Sequence, residues 1–331
     1  MDFEPPFQVS YKTLLKKATK SDNEIFLVEE YCELPLINLS RLSSGQQLER
    51  ERCMNEIADA ASRLGFFQII NHGIPKEVLR SISYEQKNVF HQPFQKKVKD
   101  NFLNLSANSY RWGNPKATCL RQFSWSEAFH ISITEIPRMT TEYKSLRLAI
   151  EKFAKAVASI AKILAEILST KLGIRSCSYF QDNCPAGSSY VRLNRYPPCP
   201  YSSKVYGLIP HTDSDFLTLV YQDMVGGLQL FNHGAWFSVK PNPDALIVNI
   251  GDLFQAMSNC VYRSTKHRVV GNTQTERFSV AYFYCPSNDA IIQSFTKPAV
   301  YRNFTFSEYK LQNQTDVQEN GDKIGLSKFL L

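Results

Sequence analysis

Between residues 187 and 286 the chain is a succession of short runs that read as strands, with no helical pattern between them. "SSYVRLNRYPPCP", "FLTLVYQD", "GLQLF", "AWFSVK", "ALIVNIG", "YRSTKHRVV" and "RFSVAYFYCP" are rich in β-branched and aromatic residues. Turn signals divide them: "NHG" at 232–234, "PNPD" at 241–244 and "GNTQTE" at 271–276. Parallel pairing needs crossover helices, so this pattern predicts an antiparallel sandwich or jelly roll.

The preceding part of the chain reads differently. "ELPLINLS" (33–40) and "FFQIINHG" (66–73) are short strands. Between them Met54, Ile57, Ala58, Ala61 and Leu64 recur at helical spacing, and the helix closes on Gly65. Pro75 opens another helix running towards Pro93, and 107–130 has no regular pattern. Leu146, Ile150, Phe153, Val157, Ile160, Leu164 and Ile167 form the stripe of a long amphipathic helix over about 142–172, ended by Gly173. The expected fold is mainly β with flanking helices (α+β): a jelly-roll (double-stranded β-helix) core and a helical N-terminal region. The expected divisions are a variable segment at 1–32, an N-terminal region at 33–140, a support helix and connector at 141–186, the jelly roll at 187–286 and a C-terminal extension at 287–331.

Composition narrows the function. Apolar residues make up 43% of the 331 positions, ample for a real core. The net charge is +7, but its densest clusters, "KTLLKKATK" and "QKKVK", are short and suit solvated helix faces better than a nucleic-acid surface. The first thirty residues contain no apolar run of signal-peptide or membrane length, and the eight cysteines include no C-x-x-C pair. The expectation is a cytoplasmic protein with reduced, packing thiols and neither a nucleic acid nor a membrane as partner. A mild positive excess suits an acidic small-molecule substrate.

Chemistry concentrates in "LIPHTDSDFLTLVYQD" (208–223). Strands disfavour Asp, yet His211 and Asp213 stand at i and i+2 of a strand pattern and so share a face. A neighbouring strand carries His267, and two imidazoles with one carboxylate make the facial triad of non-haem Fe(II) oxygenases. H-x-D alone is a weak motif and also fits a strand-end Asp turning beside unrelated histidines. Asp215 shares the phase and is expected in a supporting or turn role. Ten residues beyond His267, Arg277 and Ser279 share a face, and a buried Arg needs an anion for its planar fork. One of the chain's own acids would serve as well as a ligand carboxylate. Arg192, Asn194 and Tyr196 alternate similarly, so Tyr196 could donate to the same anion.

Taken together, "ELPLINLS", "GFFQIINHG", "NRYPPCP", "HTDSDFLTLVYQD", "VGGLQL", "VNIGDLFQAMSN", "KHRVV" and "RFSVAYF" resemble the plant 2-oxoglutarate-dependent Fe(II) dioxygenases in order and spacing over roughly 33–310. The resemblance implies that His211, Asp213 and His267 bind Fe(II), and that Arg277, Ser279 and Tyr196 hold the distal carboxylate of 2-oxoglutarate. Asn194 is implied as a nearby supporting or cosubstrate contact. The implied reaction couples O₂ and oxidative decarboxylation of 2-oxoglutarate, giving succinate and CO₂, to hydroxylation of an unactivated C–H, with ascorbate helpful in vitro. Within that family "SYRWGNPKAT" (109–118), "QFSWSEAFH" (122–130), "KVYGLIPHTDSDFLT" and "YRNFTFSEYK" (301–310) are most like the gibberellin 2-oxidases, particularly the subgroup acting on twenty-carbon gibberellins. Those enzymes inactivate acidic diterpenoid hormones by 2β-hydroxylation. Met257 departs from the Trp expected in close relatives.

Other residues are set aside. His72 reads as local structure, and His91 and His233 as exposed or turn positions. Glu127 and His130 have the E-x-x-H spacing of di-iron bundles but lack its second copy. Cys199 has no nearby base, while Trp112, Trp125 and Phe129 fit a pocket wall and a core equally well. The competing functions are the same chemistry on a flavonoid or alkaloid, a relative of the ethylene-forming oxidase or penicillin-forming synthase type without 2-oxoglutarate, and a silent jelly-roll binder of a small acid.

Overall fold

The computed structural model describes residues 2–19, 31–174 and 178–331. The helices that matter to the site are α1 (Gln47–Arg63), α2 (Lys76–Phe90), α3 (Lys144–Lys171), α4 (Asp252–Met257) and α5 (Phe306–Asn320); short helices such as Lys12–Thr19 and Ser178–Asn183 lie elsewhere. Helix α1 ends where expected, because Gly65 takes φ +71° and a Cβ there would meet the Arg263 carbonyl oxygen at 2.0 Å. The apolar stripe of α3 is buried along its whole length, Leu146 through Leu168.

The main strands are β1 (Phe66–Ile70), β2 (Glu127–Ser132), β3 (Tyr190–Tyr196), β4 (Tyr206–His211), β5 (Leu217–Gln222), β6 (Leu228–Asn232), β7 (Ala235–Val239), β8 (Leu246–Ile250), β9 (His267–Val270) and β10 (Arg277–Tyr284). One sheet runs Leu36–Asn38, β1, β8, β5, β10, β3, β2, Tyr110–Trp112, and the other Tyr31–Cys32, β7, β6, β9, β4. Their inner faces meet through Tyr196, Leu228, Leu230, Val239, Ile247 and Val269. This is the jelly roll, with helices covering the outer face of the larger sheet.

Three features differ from the sequence expectation. The irregular stretch 107–130 supplies two strands of the large sheet, because Glu127–Ser132 pairs with β3 residue by residue. A short helix, α4, interrupts the strand series. The pairings are not all antiparallel, since Leu36–Asn38 runs parallel to β1 and Tyr31–Cys32 parallel to β7. The polar C-terminal extension does pack back: Tyr301, Phe304, Phe306, Tyr309 and Phe329 join the main core.

Strand β10 is buried at all eight positions. Its Phe278, Val280, Tyr282 and Tyr284 pack into the core beneath α3, so the alternate residues Arg277, Ser279, Ala281 and Phe283 must face the space between the sheets. Glu127 and His130 lie in a strand three positions apart, on opposite faces, which removes any E-x-x-H metal site. Glu127 instead accepts from Arg195 Nη1 at 2.6 Å, from Lys97 Nζ at 2.5 Å and from the Tyr110 hydroxyl. Arg195 also meets Glu276 at 2.7 Å and Glu4 at 2.5 Å, and Lys97 Nζ donates to the Phe3 carbonyl at 3.0 Å. The network thereby ties the N-terminal residues to the sheet.

Buried charges are tolerable only in such a satisfied network, and removing one partner strands the others. Glu127→Ala is expected to cost on the order of 3–5 kcal/mol, read as a lower urea midpoint at unchanged m-value. A loss below about 1 kcal/mol would show that Lys97 and Arg195 find other partners.

Candidate active site

The first strand residue of β9 pairs with the last of β4, so His267 stands directly opposite His211. Their rings lie 4.3 Å apart at the mouth of the sandwich. Asp213 is not in the strand at all; β4 ends at His211, and the carboxylate reaches the site from the following turn. Its Oδ1 is 3.6 Å from His211 Nε2 and its Oδ2 is 3.8 Å from His267 Nε2. One ligand atom from each of the three residues falls within 4.8 Å of the others, the spacing of groups that converge on one ion. Among the described residues no other group of three or more His, Cys, Asp or Glu does so.

Each imidazole is oriented by its far nitrogen. His211 Nδ1 lies 2.8 Å from the Ile209 carbonyl oxygen and His267 Nδ1 3.1 Å from that of Thr265. A carbonyl accepts only, so Nδ1 carries the proton and Nε2 presents its lone pair. Desolvation first, then the neighbouring His267, pull the His211 pKa down to about 3, which keeps that ring neutral. Burial would raise the Asp213 carboxyl, but His267, His211 and hydrogen bonds from Thr218 and Asn249 outweigh it and bring it to about 2. Imidazole lone pairs and an ionised carboxylate are the donor set a divalent transition metal takes.

The turn carrying Asp213 is held from several sides. Thr218 Oγ1 donates to Asp213 Oδ2 at 2.6 Å and Asn249 Nδ2 does so at 2.7 Å, leaving Oδ1 open. The amides of Asp252 and Leu253, opening α4, donate to the Asp213 and Asp215 carbonyls at 2.9 and 3.0 Å. Close approach here requires Gly251, where a Cβ would meet the Asp215 carbonyl oxygen at 2.2 Å. Lys323, from the C-terminal extension, donates to the Thr212 carbonyl at 3.0 Å and Ser214 Oγ at 2.8 Å. Asp215 is buried beside Thr218 Oγ1 at 3.0 Å in a supporting position, and burial followed by the Asp213 charge holds its carboxyl well above the usual range.

Arg277 faces the same cavity, of about 210 Å³. Its Nη2 donates to Gln222 Oε1 at 2.6 Å, but Nε and Nη1 are buried without a partner. The Tyr196 ring lies beside the guanidinium, 4.9 Å from centroid to carbon. Ser279 and Asn194 come next along β10 and β3, their side chains 3.4 Å apart. Unpaired donors on a buried cation imply an anion, since an orphaned buried charge-bearing donor costs several kcal/mol. The cavity thus fits a metal at one wall and a planar carboxylate at another.

Several supporting residues escaped the sequence reading. Gln222 orients Arg277, and Gln86 of α2 donates to the Asn194 and Ser279 carbonyls at 3.0 and 2.8 Å. Asn249 had a visible signal, as the lone polar residue in "ALIVNIG"; Lys323 had none. His72 Nδ1 accepts from the Ile74 amide at 3.2 Å, a local turn contact. His233 is exposed in the β6–β7 turn, His91 pairs with Glu276, and Cys199 is buried. Trp125 and Phe129 are core residues, Trp112 packs beside Phe7, and Met257 is wholly buried; none of the four lines the cavity.

A jelly roll in which two imidazoles and a carboxylate converge near a buried arginine with unpaired donors fits a class, the mononuclear non-haem oxygenases that use a 2-oxo acid cosubstrate. Comparison with known proteins agrees. Residues 187–286 match the 2OG-Fe(II) oxygenase superfamily and residues 34–148 the model described as non-haem dioxygenase in morphine synthesis N-terminal. Gibberellin 2-beta-dioxygenase 8 of Arabidopsis thaliana is 51% identical over 99% of this chain and 98% of its own length. Gibberellin 2-beta-dioxygenase 6 of Oryza sativa subsp. japonica is 45% identical over 90% and 85% respectively. The crystal structure of JOX2 in complex with 2OG, Fe and JA superposes with a TM-score of 0.77 at 27% identity, covering 96% of this chain and 97% of that one. The chain belongs to the 2OG-Fe(II) oxygenase superfamily and is a dioxygenase dependent on Fe(II) and 2-oxoglutarate. No helix among the described residues is long and apolar enough to cross a membrane.

Asn249→Leu removes one of the two side-chain hydrogen bonds that aim Asp213. Losing such an outer contact typically weakens metal affinity ten- to a hundredfold, so Mn(II) titration followed by electron paramagnetic resonance is expected to show about that loss. Unchanged affinity would mean that Thr218 alone fixes the carboxylate.

Proposed function

We propose that this enzyme hydroxylates gibberellins at C2, in the 2β configuration, and so inactivates them. The observation that carries the reading is the 51% identity along essentially the whole chain to a gibberellin 2-beta-dioxygenase. In this reading His211, Asp213 and His267 hold Fe(II), while Arg277, Ser279 and Tyr196 receive the distal carboxylate of 2-oxoglutarate, with Asn194 beside Ser279. Bound Fe(II), with 2-oxoglutarate and O₂, supplies the oxidising power that breaks an unactivated C–H bond and leaves succinate and CO₂.

The chain's own residues bind, aim and exclude water. Carbonyl contacts at both Nδ1 atoms keep the imidazole lone pairs turned inward throughout. Gln222 fixes Arg277, whose unpaired Nε and Nη1 remain as donors for an anion. Phe66, Leu208, Val220, Leu228 and Val269 give the cavity an apolar lining that favours a hydrocarbon skeleton over water. A cytosolic setting belongs to the same reading, supported by seven free cysteines among the described residues.

Incubation with Fe(II), 2-oxoglutarate and a panel of gibberellins is expected to give 2-hydroxylated products with matching succinate, most efficiently from twenty-carbon substrates. No such product from any gibberellin sinks the substrate assignment. Arg277→Ala is expected to raise the 2-oxoglutarate KM by about a hundredfold, the equivalent of losing charge-assisted hydrogen bonds worth ~3 kcal/mol. An unchanged KM would show the anion clamp to be misassigned. Asp213→Ala is expected to abolish turnover with the circular dichroism spectrum intact.

A further inference from the structure

Strand β3 carries two arginines three positions apart, on opposite faces, and they are treated oppositely. Arg195 faces the helices and is neutralised by Glu127, Glu276 and Glu4. Arg192 lines the active-site cavity, and its Nε is buried without a hydrogen-bond partner. No carboxylate of the described residues forms an ion pair with it, and the local field is positive. Burial first, then Arg192, lowers the Arg111 pKa; the same causes, joined by Arg111, bring His130 down to about 4.

The register places this second cation away from the cosubstrate clamp. Along β10 and β3 the cavity face reads Arg277 opposite Tyr196, Ser279 opposite Asn194, Ala281 opposite Arg192 and Phe283 opposite Tyr190. Four residues of strand separate the Arg192 level from Arg277, roughly 13 Å at a rise of ~3.3 Å per residue. One dicarboxylate anchored by Arg277 and a metal leaves Arg192 unused. Next to Arg192, Tyr190 and Phe283 stack at 4.3 Å and 11°, and both line the cavity, forming a broad aromatic wall.

We infer that Arg192 binds the carboxylate of the primary substrate, with the substrate's apolar ring skeleton against Tyr190 and Phe283. The site therefore selects apolar carboxylic acids over their neutral counterparts, and the two anions of the reaction are kept apart by occupying opposite ends of one strand pair. This rests on, and deepens, the gibberellin reading. A charge-assisted contact in a cavity is worth on the order of ten- to a hundredfold in kcat/KM.

The test compares apolar carboxylic acids, gibberellins among them, with their methyl esters, in wild type, Arg192→Ala and Arg192→Lys. Wild type is expected to favour the acid of its best substrate by at least about tenfold. Arg192→Ala is expected to bring the acid-to-ester ratio of kcat/KM close to one, mainly through KM for the acid, and Arg192→Lys to retain part of the preference. A purely structural role would lower acid and ester turnover together and leave the ratio unmoved, which overturns the inference. So does a wild type that turns over ester and acid equally, or that accepts none of the acids. If no gibberellin is accepted but another apolar acid is, with the Arg192-dependent ratio, the hormone reading fails and the inference stands.

Discussion

Burial of β10 on both faces is the constraint on which the rest of the structure depends. A strand between helices and cavity cannot send any side chain to bulk water, so each polar residue on it must find a partner inside. Its outer face solves this with Phe278, Val280, Tyr282 and Tyr284 packed in the main core. Its inner face does not solve it internally, since Nε and Nη1 of Arg277 are buried without a partner. The fold is stable enough to carry this deficit because α3 and the large sheet bury a continuous apolar core, each large side chain contributing ~1.5–3 kcal/mol. Unmet donors of this kind suit a carboxylate.

The group of His211, Asp213 and His267 is arranged on the same logic, held by strand pairing and hydrogen bonds. Cross-strand pairing sets His267 opposite His211, and carbonyl oxygens two residues upstream fix each ring. Asp213 sits on a turn, which by itself would be the loosest of the three. Thr218, Asn249, the first amides of α4 and Lys323 remove that freedom from four directions. Preorganisation of this kind suits the capture of an ion and explains why a six-residue helix and a C-terminal extension remote in sequence matter to one carboxylate.

Much of the architecture was legible. The stripe predicted over about 142–172 is the helix Lys144–Lys171, and the strands read from "FFQIINHG", "FLTLVYQD", "ALIVNIG" and "RFSVAYFYCP" all form. These succeed because a periodic apolar pattern reports directly on a buried face. The strands at 110–132 were missed because Glu127 interrupts the pattern, and its burial depends on Lys97 and Arg195 arriving from elsewhere. Helix α4 was missed because six residues are too few for a period to show. Asp213 was placed in a strand by its i+2 phase, whereas the chain had already turned; phase predicts a face only while the strand continues.

By itself, then, the sequence determined which side chains share a face: Arg277 with Ser279, Arg192 with Asn194 and Tyr196, and the apolar residues opposite them. That follows from the two-residue repeat of a strand, a local property. What only the tertiary structure decided is which charges are met from within. Arg195 finds Glu4, 191 positions away, along with Glu127 and Glu276, while Arg192, three residues earlier on the same strand, finds no carboxylate among the described residues. Pairing depends on distance in space, and no periodicity along the chain encodes it.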